Sequence, residues 1–305
     1  MIEKGYLLTT KIKGLILAFS AYILWGVLSL YWKQLGAIPA YDIFAYRILW
    51  TVVTMLLYMG LSGQSKKFLF ELTNLWKTKT IFWRMVLASI LITVNWLSYI
   101  WAVTHGQATE ASLGYYVMPL VSILLSVIFL KETLSNFAKL AIVLAFVGVG
   151  VLVYQTGSLP FITLLLSFSF AFYGLIKKGI SLSSDVAMLF EAGVILPVSL
   201  VYLLGFSSVK LGSLSLLENI LLILSGAVTA IPLLLFSEGV KRAPLNQVGF
   251  IQYINPTIQL LIAVTAFGES IASGELLGFI FIWIAVLLFI IGQLILMKNP
   301  QKPKV

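Results

Sequence analysis

The sequence predicts an all-α membrane protein: ten transmembrane helices arranged as two inverted five-helix repeats. Three observations predict it. The chain of 305 residues is 60% hydrophobic and only 10% charged, where a soluble domain carries about 25% charged residues, and its mean hydropathy is +1.04. Its lysines and arginines fall almost entirely in alternate loops. One long segment occurs twice: Asn95–Thr133 aligns without a gap on Pro232–Ser270. In that register Tyr116 falls on Tyr253, Pro119 on Pro256, Leu124 on Leu261, Val127 on Val264 and Glu132 on Glu269. Apolar matches carry little weight in such a chain, but a shared tyrosine, proline and glutamate mark an internal duplication.

About 20 apolar residues cross a bilayer as a helix. The first such stretch, 14–33, follows Lys11 and Lys13 and could mimic a signal peptide. It exceeds a typical h-region, lacks a small-x-small cleavage site and precedes nine further spans, so it reads as retained. The second, 42–61, carries Arg47 inside it. The connection 62–80 is the longest and is too short for a soluble domain. The third and fourth spans, 81–103 and 108–130, form the first copy of the repeated segment, with His105 in the turn between them. The fifth, 136–154, closes a first half of residues 1–154. The sixth, 159–176, opens the second half, 155–305: SFAFYG at 169–174 matches AYILWG at 21–26 and sets Tyr173 against Trp25. The seventh, 185–205, carries Glu191. The eighth and ninth, 217–238 and 246–267, hold the second copy. The tenth, 275–297, contains Gly278, which with Gly274 makes a GxxxG pattern for helix packing or a dimer face. Backbone groups must be satisfied internally in lipid, so the connections stay short and the bundle is all helical.

Ten spans place both termini on one side. Seventeen of the twenty lysines and arginines fall in the tails and loops of that side, Lys33 and Lys210 on the other, and Arg47 within a span. This asymmetry makes the termini cytoplasmic in a multi-pass protein of the plasma (inner) membrane. It also accounts for the net charge of +9 without nucleic acid. Each half holds an odd number of spans, so the second enters the membrane from the opposite side. Inverted repeats of this kind are typical of secondary transporters, with a site near midplane between the halves.

Several function classes are disfavoured. There are no cysteines and one histidine, which leaves no thiolate metal site and argues against a zinc site or a Ser-His-Asp triad. No GxxxxGK[ST] phosphate loop is present. No metal and no cofactor are expected. A membrane-embedded enzyme would need convergent acid–base groups, and only scattered carboxylates and His105 are available. The expected partners are a small-molecule substrate and the lipid bilayer, with a proton as candidate coupling ion; the oligomeric state is left open.

Candidate functional residues come from helical spacing. Ser112, Tyr115, Pro119, Ser122 and Ser126 recur at 3, 4, 3 and 4 residues, one face of a helix. Their twins are Gly249, Gln252, Pro256, Gln259 and Ala263. Such stripes should face inward in lipid, although small and polar residues also serve simply to let helices approach. Each proline frees the carbonyl four residues before it, at Tyr115 and Gln252. Spans one, three and four with six, eight and nine are expected to surround a cavity. Trp25, Asn95, Tyr99, Tyr116, Tyr173, Tyr253 and Asn255 complete its candidate lining. Arg47 and Glu191 are intramembrane charges that need partners, each other or nearby groups, unless they snorkel to the interface. Glu110 and Glu238 are candidate proton carriers, each with a structural alternative: Glu110 is favoured at a helix N-terminus, and Glu238 has Lys241 and Arg242 beside it. Glu132-Thr133 and Glu269-Ser270 read as caps of the helices that follow them.

The runs KGLILAFSAYILWG at 13–26, Tyr46-Arg47, NWLSYIWAV at 95–103, EASLGYYVMPL at 110–120, TAIPLLLF at 229–236 and GFIQYINPT at 249–257 resemble the RarD branch of the EamA family, in the drug/metabolite transporter superfamily. The resemblance extends from Lys13 to Met297. Met118 departs from it, standing where the branch usually has the asparagine that Asn255 supplies in the second copy. The resemblance implies a ten-helix inner-membrane transporter with two EamA repeats, exporting small metabolites or drugs. An uncoupled facilitator or channel is the alternative.

Overall fold

Apolar stretches of this length have one stable form in lipid, the helix, and helices are what they form. The computed structural model describes residues 2–63, 65–105, 108–157, 161–268 and 273–298. The helices are α1 (Ile2–Lys33), α2 (Ala40–Leu61), α3 (Ser65–Lys77), α4 (Lys79–Thr104), α5 (Ala108–Leu130), α6 (Asn136–Thr156), α7 (Phe161–Lys178), α8 (Ser184–Gly205), α9 (Leu216–Arg242), α10 (Leu245–Ile251), α11 (Ile254–Phe267) and α12 (Ser273–Lys298). Among the described residues, ten stretches are long and apolar enough to span a membrane, and they match the ten expected spans. The ninth of them consists of α10 and α11 together.

The extra element is α3, in the connection to which the sequence reading assigned no structure. It is too short and too polar to span, with Lys66, Lys67, Glu71 and Lys77. Phe68, Leu72 and Leu75 share one face, however. They pack against Met85 of α4 and Val186 and Phe190 of α8. Glu71 accepts a hydrogen bond from the Ser183 backbone N–H at 2.9 Å, satisfying a free donor at the start of α8.

Most packing runs between the halves. Helix α1 lies against α9 and α11, while α7 lies against α4 and α5. Helix α2 contacts α8 and α9, α8 contacts α2 and α4, and α6 pairs with α12. Exchanging the halves turns each of these pairs into another of them or into itself. The α6–α12 seam is lined by small residues. A Cβ on Gly278 would come within 2.8 Å of Leu152 and 3.0 Å of the Gly148 carbonyl. Gly274 likewise abuts Gln155, so this GxxxG pattern serves packing within the chain.

One expected cap is corrected. Glu132 does not cap α6, the helix that follows it. Lys131 takes a left-handed φ of 53° and turns the chain, leaving Ser135 to accept from Ala138 N–H at 3.1 Å. Glu132 instead accepts from the Leu245 and Asn246 N–H groups, each at 2.8 Å. It thereby holds the start of α10 in the other half, where a negative charge is favoured. Glu269 and Ser270 lie outside the described residues.

Candidate functional site

The duplicated prolines act differently. Pro119 lies inside a continuous α5, whereas the ninth span breaks at Gln252–Tyr253. There Pro256 has no N–H to offer the Gln252 carbonyl, which accepts from Asn255 N–H at 3.1 Å instead. Pro119, Ser122, Gln252, Tyr253, Asn255 and Pro256 are buried; Tyr115 and Gln259 are half-buried, and Ser112 is exposed. Gln259 donates to Asn255 Oδ1 at 3.0 Å. The Tyr116 hydroxyl donates to the Pro256 carbonyl at 3.3 Å. Its twin Tyr253 has a buried hydroxyl with no hydrogen-bond partner. Both tyrosines sit in a packed core with residues of α6 and α12, not on an open volume. Asn95 donates to the Leu166 carbonyl at 2.8 Å and to Ser169 Oγ at 3.1 Å, tying α4 to α7.

Trp25 and Tyr173 converge on shared neighbours. Trp25 lies 5.8 Å from the Phe170 ring and 5.7 Å from Phe236, and Tyr173 lies 5.8 Å and 6.1 Å from the same two rings. Tyr173 also begins a polar chain. Its hydroxyl donates to Glu191 Oε2 at 2.9 Å, and Lys177 Nζ donates to Glu191 Oε1 at 2.8 Å. The Lys177 and Glu191 side chains are 1% and 4% exposed, a fully interior ion pair. The sixth span expected from the sequence, 159–176, stops one residue short of Lys177. Lys177 lies in the last turn of α7, on the same face as Tyr173 four residues earlier, a spacing that could have revealed it.

Arg47 stands on α2 among aromatic rings. Its guanidinium carbon is 4.3 Å from the Trp96 ring centroid, 5.5 Å from Phe44 and 5.7 Å from Trp32, close enough for cation–π attraction. Tyr115 packs against the same buried cluster as Trp96, and Tyr99 lies 5.7 Å from Tyr115, ring to ring. Nε and Nη2 of Arg47 are buried without a hydrogen-bond partner. Phe44, three residues before Arg47, and Trp32 were missed as neighbours. The i,i+3 spacing marks Phe44; nothing local marks Trp32.

Residues 12–154 match the model of the EamA-like transporter family. The chain is 47% identical to "Uncharacterized transporter YojE" of Bacillus subtilis, over 92% of this chain and 94% of that one. It is 40% identical to "Protein RarD" of Salmonella typhimurium, over 92% and 96%, and 38% identical to "Protein RarD" of Escherichia coli K12, over 95% and 98%. The chain belongs to the EamA-like transporter family, in its RarD branch. A solved crystal structure of 17% identity superposes with a TM-score of 0.71, over 92% of this chain and 96% of that one, and supports the fold alone. This EamA protein is thus a multi-pass membrane transporter, acting on a small molecule across a lipid bilayer.

The other nominated carboxylates of this EamA chain differ in setting. Glu238 pairs with Arg242 and accepts from the Ser184 hydroxyl. Lys241 turns instead to the Leu182 carbonyl at 2.6 Å and Ser184 Oγ at 2.9 Å. The Glu110 side chain lies outside the described residues. His105 stacks on Trp101 at 4.5 Å. A groove of about 280 Å³ runs between α2, α4 and α8, walled by Phe44, Ala45, Leu97, Val194 and Val198. None of the nominated cavity residues lines it; Phe44 alone links it to Arg47.

Proposed function

We propose that this protein is a secondary transporter that exports small organic metabolites or drugs by alternating access, with its termini cytoplasmic in the plasma (inner) membrane. The halves 1–154 and 155–305 form two repeats related by a pseudo-two-fold axis in the membrane plane. One observation supports this above the rest: two matched spans with matched prolines hold different conformations, α5 continuous and α10–α11 broken. Elements of one origin in two shapes are what rocking between two states requires. The relatives' transporter names favour transport over catalysis, and the exchange of helix pairs between halves favours the axis.

The natural absence of cysteine permits a direct test. Single cysteines at Asn95, Gln252, Asn255 and Gln259 should react with a membrane-impermeant maleimide, and their reactivity should move from one side to the other under an imposed proton gradient. Silence at all four positions from both sides would overturn the reading. In reconstituted vesicles a coupled transporter concentrates its solute against a gradient. Flux that only ever runs downhill would identify an uncoupled facilitator.

A further inference from the structure

We propose that Arg47 and its surrounding rings bind the carboxylate of an amphiphilic organic solute, with the solute's apolar body against the indole and phenol rings. As a statement about cargo this rests on the transporter reading above; as a binding site it rests on the geometry.

The two nitrogens without partners, Nε and Nη2, share one edge of the guanidinium. Their N–H bonds run parallel and match the two oxygens of a carboxylate, the fork that makes arginine differ from lysine. Both nitrogens are buried, although the residue as a whole is half-buried. Buried charged donors without acceptors are costly. Asn95, Ser167 and Glu191 are bonded in the interior, while several neutral groups such as Thr229, Ser237 and Tyr253 are not; among the described residues Arg47 alone is a cation with buried nitrogens lacking a partner. Among the described residues no carboxylate forms an ion pair with Arg47. Glu191 is held by Lys177 and Tyr173. Asp42, five residues earlier on α2, lies roughly 140° around a helix of 3.6 residues per turn, and its Oδ2 accepts from Ser208 at 3.2 Å. The rings of Trp96, Phe44 and Trp32 lie near the guanidinium while one hydrogen-bonding edge stays unbonded. Tyr115 and Tyr99 extend the aromatic wall, which suits an apolar or aromatic body. Three helices of the first half, α1, α2 and α4, place the guanidinium and its nearest rings.

The test uses the purified full chain in detergent, with hexanoate, 3-phenylpropionate and indole-3-acetate as carboxylates. The matched alcohol 3-phenylpropanol and amine 3-phenylpropylamine serve as controls. At least one carboxylate should raise the melting temperature saturably, and the alcohol and amine should not. Arg47→Gln should weaken that binding roughly tenfold to a hundredfold, the range for hydrogen bonds to a charged group. Arg47→Lys, a point charge without the fork, should fall between. The bound 3-phenylpropionate should quench tryptophan emission, and Trp96→Phe should reduce that quenching while the thermal shift persists. The proposal is overturned if no carboxylate binds, if the alcohol binds equally, or if Arg47→Gln binds as the parent does. Should Arg47→Gln not fold, equal affinity in Arg47→Lys and parent has the same force. Because binding is read without flux, the two readings separate. Arg47-dependent binding in a protein that moves nothing in vesicles retains the site and removes the transporter. Flux indifferent to Arg47→Gln does the reverse.

Discussion

Lys177 is the residue whose surroundings most limit what can change. Its ammonium and the Glu191 carboxylate are desolvated together, and each is tolerable only because of the other. Lys177→Met should therefore destabilise the protein by about 3–5 kcal/mol, whereas Lys177→Met with Glu191→Met should recover most of that loss. Thermal unfolding in detergent measures both, and an equal loss in the double variant would contradict the pairing. At this scale the sequence was half legible. Arg47 and Glu191 stand out as charges in apolar spans, but their environments do not. The identity of the inward lysine depends on helix phase: Lys177 and Lys178 are adjacent, about 100° apart on the helix, and only one meets α8. Its neighbour Lys178 reaches instead the Val240 carbonyl at 3.2 Å.

Among the elements, the broken ninth span carries the clearest prediction. Pro256→Ala restores an amide donor for the Gln252 carbonyl and should join α10 to α11. A proline inside a helix costs about 3 kcal/mol, so the variant should melt higher while its transport slows. Amide exchange at Gln252–Asn255 should slow with it; unchanged exchange there would show that the break has another cause. The two prolines and the carbonyls they free could be read from spacing. That only one of them breaks its helix could not, because both local sequences allow either shape and packing decides. Helix α3 was legible in principle. Its apolar residues fall on one face, but a search tuned to 20-residue apolar stretches passes over 13 residues rich in lysine.

For the whole molecule, the ten spans were readable because they depend on local composition. The packing of each half mainly on the other was not, since contacts far apart in sequence leave no local trace. Glu132 is an instance: the turn after α5 in one half caps a helix of the other, and Glu132 lies 3.8 Å from Lys178. Glu132→Gln should weaken this tie by about 1.5–3 kcal/mol, the worth of a hydrogen bond to a charged group. Cysteines at Gln252 and Asn255 should then label faster from the side of the membrane on which Glu132 lies, and an unchanged rate would mean the tie does not limit opening.

The bond from Tyr116 to the Pro256 carbonyl, set beside the unbonded hydroxyl of Tyr253, has a thermodynamic consequence. On the proposed symmetry, a second conformation would make the bond from Tyr253 to the Pro119 carbonyl and release Tyr116. One bond is then exchanged for its equivalent, and the two conformations stay close in free energy. Near degeneracy lets a small gradient decide the direction of travel. It also makes the balance adjustable by a single oxygen atom: at about 1 kcal/mol per hydrogen bond, Tyr116→Phe and Tyr253→Phe should each shift the populations roughly fivefold, in opposite senses. The ratio of labelling from the two sides of the membrane measures this, and shifts in the same sense would rule the exchange out.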